Sequence, residues 1–229
     1  DAERASHVEQ HDALAHALAA GPMQLLLADG QAVAVTPRPH GAGGLGALFW
    51  LASTLALLLY LVSTVVVLAR PELPHALYAV MSLAQVGNLL FLAAESIPAL
   101  GLPAGFMRWD HDARAAFDLV SGAALVHVTG LHPRRLPGNG LSAAGVWLTA
   151  AMATAASLGG LLVNAWWWTQ AIVIACGLLA VAQLAWVQRS TPHPLVALLW
   201  RFCALTVGTL ILLTLSIAVV GPIVGSQGQ

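Results

Sequence analysis

Six apolar stretches, each close to 20 residues or longer, dominate this chain at 45–69, 76–99, 113–131, 141–163, 165–187 and 195–220. About 20 such residues in a helix cross a hydrocarbon core roughly 30 Å thick. Inside lipid every backbone N–H and C=O must be satisfied within the chain, which leaves helices as the way to use such stretches. The fold class that follows is an all-α integral membrane protein. It is a bundle of about six transmembrane helices, preceded by a small N-terminal α+β extracytoplasmic segment made of a helix plus a hairpin.

Punctuation between the stretches supports the division. Arg70-Pro71 and Pro74 separate the first two, and Pro98 and Pro103 close the second. His132-Pro133-Arg134-Arg135-Leu136-Pro137-Gly138-Asn139-Gly140 is a loop by its turn residues. Ser190-Thr191-Pro192-His193-Pro194 offers a hydroxyl cap and a proline start for the last helix. The third and fourth stretches carry the weakest signal: one contains Asp118 and His127, the other is mostly Ala, Gly and Thr.

Charge sets orientation and excludes several activities. Charged residues make up 8% of the chain and apolar ones 59%, with a net charge of -1. A nucleic-acid partner needs a basic stripe, so none is expected. Every basic residue is an arginine. Retinal Schiff-base, aldolase-type and Walker-lysine chemistry all need an ε-amine and are excluded. Arg70, Arg134, Arg135 and Arg189 fall in the first, third and fifth connections, which share one side. The positive-inside rule places that side in the cytoplasm and the N-terminus outside. Trp166-Trp167-Trp168 then open the fifth span at the outer interface.

Residues 1–40 form a separate segment, with the membrane bundle covering 41–229. The stretch 7–20 is an amphipathic helix stopped by Gly21-Pro22, and 23–27 and 31–36 read as strands around Ala28-Asp29-Gly30. Some 40 residues bury too little to stand alone. This segment is therefore expected to be the end of a domain that starts earlier, and the chain to be part of something longer.

Polar residues inside the spans are the candidate site, because hydrocarbon makes them costly. Ser82, Gln85, Asn88 and Glu95 share one broad face of the second span. Gln85, Asn88 and Glu95 are candidate signal-binding residues; interhelical hydrogen bonding is the alternative role. Asp118 in the third span is a further candidate, either paired with Arg114 one turn earlier or sharing an outer cavity with Glu95. His127, on the opposite side of its helix from Asp118, is the fifth. Thr149, Ala153 and Ser157 read as a small-residue packing stripe on the fourth span, and Cys176 and Cys203 as small buried side chains. Arg201 is expected to snorkel to the headgroups. No catalytic motif is present, and no metal or other cofactor is expected. A b-haem would want paired histidines deep in facing helices, where only His127 lies.

Two resemblances add to this. The stretch DALAHALAAGPMQLLLADGQAVAVTPRP (12–39) resembles the C-terminal half of a PDZ-like domain, its groove helix and last two strands. LVHVTGLHPRRLP (125–137) and ALFWLASTLALLLYLV (47–62) resemble the polytopic sensor region of bacterial membrane-bound histidine kinases. That resemblance implies a sensory region in the bacterial inner membrane, working as a homodimer. It would respond to a small-molecule, lipid or peptide signal and pass it to a cytoplasmic kinase outside this chain. The phospho-acceptor and ATP-lid motifs of such kinases are absent from these residues. A small transporter or channel subunit is the alternative, and a membrane haem or quinone protein a further one.

Overall fold

A computed structural model describes residues 9–10, 12–14, 16–17, 20–26, 30–36, 44–97, 104–132, 134–190 and 192–227. Its long helices are α1 (Ala47–Ala69), α2 (Leu73–Glu95), α3 (Ala104–Leu131), α4 (Asn139–Leu158), α5 (Ala165–Ser190) and α6 (Pro194–Gln227). Before them, the described residues between 9 and 20 are helical. The hairpin follows as antiparallel β1 (Met23–Leu26) and β2 (Ala32–Val35), with Met23 opposite Val35 and Leu26 opposite Ala32. Gly30 takes φ +83, the left-handed conformation that made this turn legible.

Among the described residues five helices are long and apolar enough to cross a membrane: α1, α2, α4, α5 and α6 as far as Val220. The chain is a multi-pass helical membrane protein. The third expected span differs from the others. It lies within α3, which has 28 residues and starts at Ala104 rather than 113, and it is not among those five. Residues 104–112 were expected as a connection because they are rich in charge. They are helical here, tied by the Asp110–Arg114 pair one turn apart.

Helix ends correct several other expectations. The second span stops at Glu95, before the expected 99; the Ser96 hydroxyl turns back onto the Ala93 carbonyl at 2.7 Å. The fourth stops at Leu158, short of 163. Gly160 is left-handed (φ +65), its N–H reaches the Ser157 carbonyl, and the Leu161 N–H reaches that of Ala156. This is a Schellman end, and the Gly-Gly pair makes it possible. Pro194 does open α6, but the cap is His193, whose Nδ1 accepts the Leu195 N–H at 3.2 Å. The Ser190 hydroxyl instead bonds the carbonyls of Trp186 and Val187.

The chain divides into two compact units. The first comprises Asp1–Leu59 and Val86–Arg114, the second Tyr60–Gln85 and Ala115–Gln229. The second holds most of the core. Leu119 and Ala123 of α3 pack with Ala150 of α4, lined by Val146, Trp147, Ala153, Ile172 and Val173. Val126 packs with Cys176 and Ala180 of α5. On α4 the packing face thus runs through Ala143, Val146, Trp147, Ala150 and Ala153, at helical spacing. Thr149, expected in that stripe, is exposed and donates to the Gly145 carbonyl.

Glycines set how closely the helices approach. A Cβ on Gly122 would lie 3.2 Å from Cys176 Cβ, and one on Gly177 only 2.7 Å from Val207 Cγ2. Such contacts replace the hydrophobic driving force that helices in lipid lack. A Cβ on Gly130 would overlap the side chain of Asn139, which is buried at the start of α4.

Candidate functional site

Among the described residues, the most concentrated charge lies in the first unit, around Arg114. Its Nη2 stands 2.7 Å from Glu95 Oε2 of α2, and its Nε donates to Asp110 Oδ1 at 2.8 Å. One guanidinium thus joins a carboxylate from the end of one helix to a carboxylate one turn back on its own. The Asp110 contact is a charge-assisted hydrogen bond and the Glu95 contact a close ion pair, and the fork of an arginine suits two carboxylates in different directions. The Phe91 ring lies below the guanidinium, 6.0 Å from centroid to Cζ, and packs against Phe106 at 5.6 Å. Asp110 is buried at 6% exposure, whereas Glu95 and Arg114 keep partial access to the outside. The triad carries a net charge of −1 when all three groups are ionised, and its accessible edge is Glu95.

This arrangement adds partners that the sequence reading did not give. Asp118 was expected either to pair with Arg114 or to share an outer cavity with Glu95; Arg114 reaches Asp110 and Glu95. Asp118 is half-buried and belongs to the second unit, whereas Glu95 belongs to the first. Asn88 is half-buried in the first unit.

The remaining candidates fall in the second unit, on hydrogen bonds between helices. Gln85 Nε2 of α2 donates to Ser121 Oγ of α3 at 3.0 Å. Trp147 Nε1 of α4 donates to His127 Nδ1 of α3 at 3.3 Å. An imidazole accepting at Nδ1 is neutral and carries its proton on Nε2. A third bond joins Thr129 Oγ1 of α3 to Gln183 Oε1 of α5 at 2.7 Å. Each of these three bonds uses α3. For Gln85 and His127 the bundle-holding role is therefore filled by a named partner.

Sequence reasoning missed Ser121, Thr129, Trp147 and Gln183. The signal that would have found them was already in use for the second span: a polar side chain at a depth where lipid cannot satisfy it. Among the described residues no three His, Cys, Asp or Glu side chains are grouped to hold a metal ion. Cys176 and Cys203 are free thiols, the first buried among apolar side chains. No family model, curated protein or solved structure matches the chain.

Proposed function

We propose that this chain is the membrane-embedded sensory region of a bacterial inner-membrane signalling protein. Its N-terminus is extracytoplasmic, and its output domain, a histidine kinase on the resemblance of 47–62 and 125–137, lies in the cytoplasm. The observation that carries the reading is the Glu95–Arg114–Asp110 triad, taken with the helix on which it sits. α3 supplies Asp110 and Arg114 to the first unit, and it supplies Ser121, His127 and Thr129 to the hydrogen bonds of the second. With the N-terminus outside, the triad lies at the extracytoplasmic end of α2 and α3. A signal that competes for Glu95 or Arg114 favours a packing in which α3 is released from α2. The response is a shift between two populations, and its size is set by the signal's preference for one of them.

Transport fares less well on the same observation. It would use Glu95 and Asp118 as ion carriers, but the Glu95 carboxylate is already paired with Arg114.

The two native thiols provide a test. Cys176 lies against Gly122 of α3, and Cys203 of α6 serves as the internal reference. Glu95→Gln and Arg114→Gln are each expected to raise the alkylation rate of Cys176 relative to Cys203 in membranes, with overall helicity unchanged. A ratio that stays flat in both variants sinks the sensory reading. Ion flux in proteoliposomes that disappears in Glu95→Gln would replace it with transport.

A further inference from the structure

From residue 119 to 229 the chain contains no aspartate and no glutamate, yet it carries Arg134, Arg135, Arg189 and Arg201. All four are exposed and all belong to the second unit. The helix register shows that they share one end of it. Gly122 of α3 faces Cys176 of α5, and seven residues further along each helix Thr129 bonds Gln183. α3 and α5 therefore run parallel and in step. The 134–135 pair, just past the end of α3 at Leu131, lies level with Arg189 at the end of α5. α6 returns antiparallel after a short connection, with Val207 opposite Gly177. This sets Arg201 level with Gln183, roughly 9 Å below Arg189 at 1.5 Å per residue.

The loop carrying Arg134 and Arg135 is held at both ends. The Leu136 N–H donates to the Gly130 carbonyl at 2.9 Å, the Asn139 N–H to the Leu136 carbonyl at 3.2 Å, and the Asn139 side chain is buried against Gly130. Such a loop loses little freedom on binding, which favours affinity. His193 Nδ1 is occupied by the Leu195 N–H, which leaves Nε2 of this exposed ring as a further donor at the same end. The acidic group nearest this end among the described residues is Glu72, exposed and 4.0 Å from His75 Nδ1.

We propose that Arg134, Arg135 and Arg189, with Arg201 a step deeper, form a headgroup site for an anionic phospholipid. The chemistry is phosphate recognition at two depths. The three outer guanidiniums meet headgroup charge in the plane of the interface, and Arg201 meets the glycerol-linked phosphate from below. Guanidinium forks suit phosphate oxygens. Exposed apolar side chains of α5 and α6 beside them, Trp186, Leu195, Leu198 and Phe202, give the acyl chains a surface. The site rests on the membrane assignment alone and does not depend on the sensory reading.

The experiment is a thermal-melting titration of the detergent-purified chain with phosphatidylglycerol, phosphatidylcholine or inorganic phosphate. Phosphatidylglycerol is expected to raise the melting temperature at a half-saturating concentration roughly 100-fold below that of phosphatidylcholine, about fivefold for each outer arginine at low salt. Inorganic phosphate at the same concentrations is expected to leave melting unmoved. The triple variant Arg134→Gln, Arg135→Gln, Arg189→Gln should lose the preference while retaining its helical circular dichroism. Equal response to the two lipids overturns the site, as does an undiminished preference in the triple variant. A response to inorganic phosphate as strong as that to phosphatidylglycerol overturns the lipid and assigns a soluble anion. If the triple variant does not fold, the wild-type chain still decides: the preference must fall steeply between low salt and 1 M salt, and persistence there overturns the proposal.

Discussion

α3 and α6 divide the work of a membrane helix in opposite ways. α3 is the least apolar of the long helices and the best packed: Leu119, Ala123, Ala124 and Val126 are all at 2% exposure or less. α6 is far more apolar, yet Leu198, Phe202, Leu205 and Leu212 are each at least 66% exposed. Hydropathy therefore reports contact with lipid rather than depth in a core. A helix whose neighbours are other helices is free to carry Ser, Thr, His and Gly, which bring backbones close and bond across the gap. A helix facing lipid must spend its surface on Leu and Phe.

Six substitutions test this contrast, and their effects should fall in order. Ala123→Leu adds bulk where no space exists and should destabilise the bundle by about 3 kcal/mol, at the upper end for overpacking, read from unfolding in mixed detergent. Arg114→Gln strips two carboxylates of their shared partner. Because the triad is only partly buried, its expected cost of about 2 kcal/mol lies between those for buried and exposed ion pairs. Asp110→Asn should cost more than Glu95→Gln, since Asp110 is the buried member; the reverse order in thermal melts would break this account of the triad. Thr129→Val removes the bond to Gln183 and should cost about 0.6 kcal/mol, typical of such bonds in lipid. Leu205→Ala, at 70% exposure on α6, should change stability by less than about 0.5 kcal/mol. A loss at Leu205 as large as that at Ala123 would mean that α6 meets protein rather than lipid.

The same contrast explains what the sequence could and could not reveal. Spans facing lipid announce themselves: α1 and α5 begin and end within a few residues of where hydropathy places them, and α6 begins there, though it runs on past 220 to Gln227. The hairpin was legible from Asp29-Gly30 and the flanking apolar residues. The start of α3 was hidden because Trp109, Asp110, His111, Asp112 and Arg114 look like a connection until their pairing along the helix is seen. The reach of Arg114 to Asp110 has a geometric reason. Side chains on a helix lean toward its N-terminus, so Arg114 reaches back one turn more readily than forward. Glu95 stood out as an acid in a span, but its partner on α3 is 19 residues away in sequence, beyond the reach of any local pattern.

The Gly-Gly stop of α4 has one more consequence. At 20 residues and 1.5 Å per residue, α4 rises about 30 Å, no more than the thickness of a typical hydrocarbon core. It has no spare length with which to tilt. A thicker bilayer must thin around it or draw its ends inward, whereas α6, with 34 residues, can lean to accommodate the same change. Bilayer thickness therefore acts on this protein through its shortest span.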